Sequence, residues 1–590
     1  MATAETTQTA RGGEWLVVET DPATVTTREG LTDEHRLIEQ TAAEFMDGEV
    51  LPALERLEQK DWALNRELVR KCGSLGLLGT NVPESYGGVD LDKVSTMIVS
   101  EQMARSASFA VTFGAQANLT VLPIYMFGTE AQKAKYLPGL VSGELIGAYC
   151  LSESGSGSDA LGAKARAMRQ ADGSFVLSGE KMWITNGGFA DVYVVFAKVD
   201  GEQFTAFIVE RAWPGVSSGK EEHKMGLHGS STTPVILQDV KVPADAVLGE
   251  VGKGHKVAFN VLNFGRFKLG AMVLGGARVT VGDAAKYASS RKQFGVPIAT
   301  FGAIRHKLGE MTARTYALES LMYRTAGLID QRIGAAGATA AATLQALEEF
   351  AVEASIAKVY GSETVDFVID EALQIFGGNG FVADYPIERR YRDARVNRIF
   401  EGTNEINRLL IPGMLIKRAV KGELPLLAAA KALQAEILGP PAMHESDDAP
   451  LAAERRAVAG MKKVVLLVAG VAMQRHGERL QDEQEVLSHL ADLVIDAYLA
   501  ESAILRALAA QQRSTDAALH LAAAMATTHE AAGRVELSAR SALAALAEGD
   551  TLRVHLAALR RLLKLTPANL VTVRRQLADA TAAKGAYPFA

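Results

Sequence analysis

The amino-acid sequence predicts a mainly α-helical protein with a β domain in the middle of the chain. Two stretches, from about Thr32 to Gly147 and from Val257 to about Lys421, carry apolar residues at helical spacing. Between them lie short β-branched and aromatic runs such as VYVVFAKV and FTAFIVE, separated by Gly, Asp and Pro. An Ala- and Leu-rich helical region follows an aperiodic stretch of Pro, Gly and acidic residues near the C-terminal third.

Several domains are expected, because 590 residues exceed the roughly 250–300 that a single core supports. In chain order we predict an N-terminal extension (1–31), a helical domain (32–147), a β domain (148–256), a helical bundle (257–421), a linker (422–450) and an additional helical domain (451–590). In the bundle, the spacing of Leu308, Met311 and Leu318 places them on one helix face. A ligand site is expected where the domains meet.

Composition and charge exclude several classes of protein. The chain is 48% hydrophobic and 22% charged, which is ordinary for a soluble globular protein. A net charge of −7 without a long basic block argues against a nucleic-acid partner. Cys72 and Cys150 lie far apart, so reduced thiols are expected rather than a disulfide framework.

A cytoplasmic location is expected, because the first dozen residues have neither the apolar core of a secretion signal nor the Arg-rich character of a transit peptide. The longest apolar run, Val464 to Met473, is about half of the ~20 residues that cross a bilayer, so no transmembrane helix is expected. Lys462, Lys463, Arg475 and Arg479 border this run as in an interfacial helix. The alternative, which we favour, is a bundle helix that packs against Val486–Leu505; peripheral membrane contact stays open.

The segment AYCLSESGSGSDALGA, from Ala148 to Ala163, is rich in residues that suit close approach to a ligand. Gly157 lets the backbone come near a flat or anionic group, and Ser152 and Ser158 can donate hydrogen bonds. Composition alone is more typical of a flexible Ser/Gly loop.

Three further segments change that interpretation: KMWITNGG at Lys181–Gly188, QIFGGNGFVADYPIERRYRD at Gln374–Asp393, and IFEGTNEI at Ile399–Ile406. Together with the Ser/Gly segment they resemble the acyl-CoA dehydrogenase family in order and internal spacing. FNVLNFGRF near Arg266 and the helical tail are similar to the very-long-chain branch and its bacterial members. The resemblance implies an N-terminal helical domain, a β-barrel-like middle domain and a C-terminal four-helix bundle, followed here by an extra helical domain.

The sequence argues against a dinucleotide-binding domain, a metal site and a hydrolase. Gly378, Gly380 and Ala383 satisfy the GxGxx(G/A) fingerprint of dinucleotide-binding domains, but a helical pattern precedes them instead of a strand. We find no metal-ligand spacing and no GxSxG nucleophile elbow, so neither a metal site nor a hydrolase is expected.

The resemblance implies FAD-dependent α,β-dehydrogenation of a long-chain fatty acyl-CoA to the trans-2-enoyl-CoA in fatty acid β-oxidation. Electrons would pass to an electron-transferring flavoprotein. A flavin is needed because side chains alone do not accept a hydride. By resemblance Glu401 is the base, next to Gly402, although most Glu residues are solvated surface residues. The alternatives are an acyl-CoA oxidase and a non-catalytic flavoprotein with an assembly role.

The family pattern also implies which residues bind FAD. Those of the same subunit are Tyr149, Leu151, Ser152, Gly157, Ser158, Trp183 and Thr185, with Thr403 and Glu405 on the adenosine side. A second set resembles an arm that reaches the FAD of the neighbouring subunit: Arg291, Gln293 and Phe294. Three more residues resemble those that contact the same FAD across the interface: Gln374, Gly377 and Gly378. Such sharing implies at least a homodimer.

Substrate contacts are implied at four positions. Ser158 and Arg266 are two of them, and Arg266 corresponds to a residue near the CoA moiety, although an Arg on a helix is more often a surface cation. Gly114 and Ala115 are expected at the floor of the acyl pocket, where small side chains leave room for a long tail.

Overall fold

The chain folds into helical layers around a single large β-sheet, and the structure, a computed structural model, describes residues 10–440, 449–513 and 517–589. This confirms the predicted fold class. The first helical layer contains α1 (Asp33–Phe45), α2 (Leu54–Glu58), α3 (Trp62–Ser74), α4 (Lys93–Met103), α5 (Ala107–Gln116), α6 (Leu122–Phe127) and α7 (Glu130–Ser142). The Thr32 hydroxyl caps α1 by accepting the His35 backbone N–H at 3.3 Å, so the helix begins directly after Thr32.

The β-sheet has eight strands in the order β6-β7-β3-β2-β4-β5-β8, with β1 parallel to β4 at the side. The strands are β1 (Gly147–Cys150), β2 (Arg166–Arg169), β3 (Phe175–Thr185), β4 (Val192–Val199), β5 (Gln203–Glu210), β6 (Val216–Ser218), β7 (Thr232–Val242) and β8 (Val247–Leu248). Alternate residues of β4 enter two different hydrophobic clusters, Tyr193 and Val195 on one face and Val194 and Phe196 on the other. Both faces are therefore covered, which explains why this strand is a continuous apolar run.

The central helical bundle consists of α8 (Gly254–Ser290), α9 (Gly302–Ala335), α11 (Ala351–Phe376) and α13 (Asn404–Val420), with the shorter α10 (Ala340–Glu349) and α12 (Pro386–Ala394) beside them. A two-stranded hairpin, β9 (Lys292–Gln293) and β10 (Val296–Pro297), connects α8 to α9. Leu308, Met311 and Leu318 of α9 are fully buried, as their spacing predicts.

The additional domain contains α14 (Leu426–Leu438), α15 (Ala452–His476), α16 (Gln484–Arg513), α17 (Ala517–Leu546), α18 (Gly549–Leu562) and α19 (Leu570–Lys584). The predicted linker at 422–450 is wrong in its first half, because α14 forms there and packs against α15. Residues 441–448 of that linker lie outside the described residues. Val464 and Val468 of α15 are buried, and the helix packs on α16 and α17, as expected for a bundle helix.

Among the residues that the structure describes, three helical stretches are long and apolar enough to cross a membrane by length and composition alone: Ala107–Phe127, Gly254–Ser290 and Ala452–Asp482. The sequence analysis predicts no transmembrane helix because it considers only uninterrupted apolar runs. These helices contain scattered polar residues, yet their mean hydropathy is still high. Within the protein, 83%, 78% and 56% of their most apolar windows are buried, respectively. The stretch that contains α15 is thus the least enclosed of the three.

The N-terminal segment, residues 11–31, joins the central bundle to the additional domain. The Gly13 N–H and the Trp15 indole N–H both donate to Glu353 Oε1 of α11, at 2.7 and 3.1 Å. The Trp15 ring packs on Tyr498 of α16 with centroids 4.8 Å apart. The segment therefore contacts both domains through buried side chains.

A buried ion cluster, defined here as Glu29, Glu319, Arg506 and Tyr587, ties the two ends of the chain to the bundle. Arg506 Nη1 lies 2.7 Å from Glu319 Oε2, and its Nη2 lies 2.5 Å from Glu29 Oε1. The Tyr587 hydroxyl donates to Glu319 at 2.8 Å. Each buried charge is thereby paired, as burial requires.

Candidate active site

Glu401 lies in the short loop that precedes α13. Its φ is +58° and that of Gly402 is +78°, so two consecutive residues adopt the left-handed conformation. This conformation is strained for a Glu and needs support from its surroundings. Asn407 Nδ2 donates to the Gly402 carbonyl at 2.9 Å, and Arg266 Nε donates to the Glu401 carbonyl at 3.3 Å. The Thr403 hydroxyl caps α13 by accepting the Ile406 N–H.

The Glu401 side chain is half-buried, and its carboxylate oxygen Oε2 is enclosed by protein. Its Oε2 is buried without a hydrogen-bond partner among the residues that the structure describes. A side chain at Gly265 of α8 would place its Cβ 2.5 Å from this oxygen, so the carboxylate would have to move from its present position if any other residue stood there. Desolvation raises the pKa of Glu401 to about 7, and the charges of Arg266 and Lys358 partly oppose that rise.

The Ser/Gly loop after β1 is held in place rather than flexible. Glu153 forms a buried ion pair with Lys181 of β3 at 2.7 Å, and its carboxylate also accepts the N–H groups of Lys164 and Ala165, at 2.6 and 3.0 Å. The Ser152 carbonyl accepts the Met182 N–H at 2.9 Å. The loop and KMWITNGG are therefore adjacent, as the predicted cofactor site requires.

The surroundings of this loop fit a large planar ligand. Trp183 has a φ of +57° and 57% of its surface is exposed, which is unusual for Trp outside a binding site. A Cβ at Gly157 would meet no atom within 4 Å, so space is open there. The Tyr149 hydroxyl is buried with no partner in the described part of the chain, and burial and the Glu401 charge both raise its pKa. Tyr149 thus connects the loop to Glu401.

The other predicted cofactor residues differ in their exposure. Ser158 is exposed, Leu151 is buried with its carbonyl accepting Lys181 Nζ at 3.2 Å, and Thr185 is half-buried at the end of β3. Glu405 is exposed on the first turn of α13.

A second group of predicted cofactor residues lies on a different surface. Arg291, Gln293 and Phe294 form the exposed hairpin after α8, and Phe294 is 93% exposed. Gln374, Gly377 and Gly378 are exposed at the end of α11, after a helix rather than a strand. Stacking of Tyr287 on Phe376, with centroids 4.0 Å apart, brings the two sets together.

These two sets are remote from Glu401 in the same chain. Arg291 follows Gly265 by 26 residues on one continuous helix, which corresponds to about 39 Å at ~1.5 Å per residue. The structure therefore separates the predicted cofactor residues into two surfaces.

Arg266 is buried beside Glu401 and is not the surface cation of the alternative reading. Farther along α8, the face that carries Gly265 also carries Met272 and Gly276, by helical spacing. A cavity of about 130 Å³ lies there between α5 and α8. Its apolar lining includes Ala107, Ala110, Val111, Met272, Gly276 and Val279.

The predicted pocket-floor residues lie next to this cavity on α5. Val111 lines it, one turn before Gly114 and Ala115. A Cβ at Gly114 would approach only the Asn118 side chain, at 3.8 Å, and Ala115 is buried.

Sequence reasoning missed four residues around the base: Gly265, Lys358, Asn404 and Asn407. Lys358 Nζ donates to Asn404 Oδ1 at 2.6 Å although the two are 46 positions apart. A signal exists for Lys358, because it interrupts an otherwise apolar face of α11. Gly265 carries no such signal, since its role depends on a residue more than a hundred positions away.

Comparison with known proteins covers nearly the whole chain. Family models match residues 32–144 (acyl-CoA dehydrogenase, N-terminal domain), 148–240 (middle domain), and 252–415 and 460–561 (two models described as C-terminal domain). A probable acyl-CoA dehydrogenase of Bacillus subtilis is 46% identical over 96% of this chain and 97% of its own. The human mitochondrial very long-chain specific acyl-CoA dehydrogenase is 40% identical over 61% of this chain and 53% of its own.

Solved structures give the same picture. An acyl-CoA dehydrogenase from Bacillus anthracis, complexed with FAD, superposes with a TM-score of 0.96 at 46% identity, over 98% of this chain and all of its own. Butyryl-CoA dehydrogenase from Megasphaera elsdenii superposes with a TM-score of 0.60 at 38% identity, over 66% of this chain and 99% of its own. The second protein therefore corresponds to about two thirds of this chain.

Proposed function

Since this chain belongs to the acyl-CoA dehydrogenase family, we propose that it oxidises long-chain fatty acyl-CoA to trans-2-enoyl-CoA with Glu401 as the base, as a step of fatty acid β-oxidation. It is an FAD-dependent acyl-CoA dehydrogenase. The observation that carries the assignment of the base is the enclosed Glu401 carboxylate, whose Oε2 has no partner within the described residues. A base must leave its oxygen free for a substrate proton, and this oxygen is free.

Glu401 removes the proton from the carbon next to the thioester. Its pKa near 7 suits proton transfer close to neutral pH, because a stronger base than an ordinary carboxylate is still ionised there. When bound, FAD accepts the hydride from the neighbouring carbon. We assign the Glu401 backbone N–H to the thioester carbonyl, where a donor stabilises the developing negative charge.

The space beside Trp183, Gly157 and Ser158 would hold the flavin of the same subunit. Arg291 and the end of α11 cannot reach that flavin, since about 39 Å of α8 separate Arg291 from Gly265. A second copy of the chain would bring them to it. This supports a homodimer in which each subunit completes its neighbour's cofactor site.

A long acyl chain is supported by the cavity between α5 and α8, which continues the helix face from Gly265. As electron acceptor we propose an electron-transferring flavoprotein. We also propose a cytoplasmic location with peripheral membrane contact at α14, where Leu427 and Leu438 are exposed. Co-sedimentation with anionic lipid vesicles, lost in a Leu427→Ser/Leu438→Ser variant, would test the membrane contact.

The reaction is tested by mixing the purified yellow protein with palmitoyl-CoA or butyryl-CoA without oxygen and following flavin absorbance. We expect bleaching, faster with palmitoyl-CoA. Glu401→Gln should keep FAD but bleach about 10²–10⁴-fold more slowly, because it lacks the base. Glu144→Gln, at an exposed position of the first helical domain, is the matched control.

Failure of the wild type to bleach with any acyl-CoA would reject the enzyme assignment. Bleaching of Glu401→Gln at the wild-type rate would reject the base. Adding oxygen or an electron-transferring flavoprotein to the bleached protein then identifies the acceptor, and rapid recolouring by oxygen alone would assign an acyl-CoA oxidase instead.

A further inference from the structure

A fully buried lysine lies next to the catalytic loop but has no part in the reaction as described so far. Lys358 is in the middle of α11 and has no exposed surface. Its Nζ donates to Asn404 Oδ1 at 2.6 Å. Asn404 is the first residue of α13 and follows Glu401 by three positions. The ammonium thus holds the point at which the catalytic loop enters its helix.

The other end of the Asn404 side chain is fixed as well. Its Nδ2 donates to Ser362 Oγ at 3.1 Å and to Glu363 Oε1 at 3.0 Å. An amide with its oxygen and its nitrogen both bonded has a single orientation. Glu363 in turn accepts Arg408 Nη1 at 2.6 Å, so the network extends along α13.

The ionisable groups around Glu401 come from three elements. Arg266 of α8 and Lys358 of α11 lower its pKa, and Tyr149 of β1 is affected by its charge. Arg266 is hydrogen-bonded to the backbone carbonyl of Glu401 and to Asn263, not to the carboxylate.

The charges around Lys358 include the same base. Glu401, Glu405 and Glu363 raise the pKa of Lys358, whereas Arg266 lowers it. Desolvation is the largest effect and brings the pKa to about 8, so the side chain is still a cation at neutral pH. A neutral donor could serve Asn404 equally well. A buried cation is expensive unless its charge is used.

We propose that Lys358 is a positioning residue for proton abstraction: it fixes Asn404 at the start of α13 and its positive charge keeps the enclosed Glu401 carboxylate ionised. The inference rests on the proposed role of Glu401 as the base. Lys358 thus acts on Glu401 through its charge, without any contact with the substrate.

The test is the pH dependence of the bleaching rate with palmitoyl-CoA in the FAD-loaded Lys358→Met variant. Removing the cation disfavours the carboxylate, so the rate should rise with pH about one pH unit later than in the wild type. Lys358→Arg, which restores the charge, should return the profile towards the wild-type position. Lys358→Gln retains a donor for Asn404 without the charge and should show the same shift as Lys358→Met, which provides a second variant if the first does not fold.

The matched control is Lys268→Met. Lys268 is 2% exposed on α8, and its ammonium donates to the Thr96 carbonyl, away from the charges that act on Glu401. Its loss should lower stability without moving the pH profile. A Lys358→Met or Lys358→Gln variant with a slower rate but the wild-type profile would overturn the proposal. If Glu401→Gln itself bleaches at the wild-type rate, the proposed base fails, which is a different result.

Discussion

The enclosure that makes Glu401 suitable as the proposed base also lowers the stability of the protein when the carboxylate is ionised. Burial raises its pKa from 4.5 to about 7, so the folded protein binds this proton more tightly than the unfolded chain does. The protonated group therefore contributes fully below about pH 4.5, and its contribution is lost as pH rises through about 7. At pH 8 the ionised carboxylate is destabilising by up to roughly 3 kcal/mol.

Glu401→Gln should consequently be more stable than the wild type at pH 8. The difference should shrink towards pH 4.5 and vanish below it, where the wild-type carboxyl becomes protonated in the unfolded chain as well as in the folded protein. Urea unfolding of the FAD-loaded proteins at the two pH values measures it. A variant less stable than the wild type at pH 8 would show that another interaction of the carboxylate outweighs its desolvation.

The sequence predicts the base by resemblance, but it does not predict how the surrounding residues hold it. Glu401 lies in a phrase that can be read locally, IFEGTNEI. Gly265, Lys358 and Arg266 come from α8 and α11, and only the packing of those helices places them around the carboxylate. Their places around the carboxylate depend on tertiary packing, so the local signals at Arg266 and Lys358 do not show that either residue lies beside Glu401, and Gly265 carries no local signal at all.

At the scale of elements, α8 contacts the proposed base and also lines the proposed acyl pocket. Gly265 leaves room for Glu401, and about 16 Å farther along the same face Gly276 lines the cavity beside α5. In the proposed site, the distance between Gly265 and Gly276 on α8 therefore corresponds to the distance between the reacting carbon and the distal part of the acyl chain.

Gly276→Leu should shorten the usable pocket. We expect at least a ~10-fold lower bleaching rate with palmitoyl-CoA and an almost unchanged rate with butyryl-CoA, because the added side chain meets only the distal part of a long tail and steric overpacking costs about 1–3 kcal/mol. Stopped-flow bleaching with both substrates measures this selectivity.

Gly276→Ala is the graded control, since its Cβ would lie 3.6 Å from Val365 Cγ2, an ordinary contact. Equal losses with both substrates in the Leu variant would mean that the cavity does not hold the acyl chain.

Elements were predictable where their pattern is self-contained. The sequence predicts β4 from its run of β-branched residues, whose alternate side chains are buried in the two hydrophobic clusters on either face of the sheet. α14 was missed because Pro and Gly from Gly439 onwards mark only where the helix ends, and Leu426–Leu438 is itself a good helix former. The hairpin β9–β10 has two residues per strand, too few for a periodic signal.

At the scale of the whole molecule, the buried ion cluster joins residues that are far apart in the chain. Arg506 is 1% exposed and pairs with Glu319, which also lies 3.6 Å from Arg278 and 3.8 Å from Arg28. Arg506→Met should lower the free energy of unfolding by about 3–5 kcal/mol, nearer the low end because two other guanidinium groups remain.

Thermal and urea unfolding of Arg506→Met measure the loss. The double variant Arg506→Met/Glu319→Gln should recover part of it, because the fully buried Glu319 carboxylate that lost Arg506 is then replaced by a neutral group, while Glu29 still lacks this partner. A single variant as stable as the wild type would show that Arg28 and Arg278 suffice.

The N-terminal segment has a consequence for the way the protein is made. Gly13 bonds to Glu353, 340 positions later, and Glu29 bonds to Arg506, 477 positions later. At a translation rate of about 5–20 residues per second, Glu29 is synthesised roughly 25–95 s before Arg506. During that interval Trp15 is without its final environment. Docking of the first residues is therefore a late event, completed only after most of the polypeptide has been released from the exit tunnel.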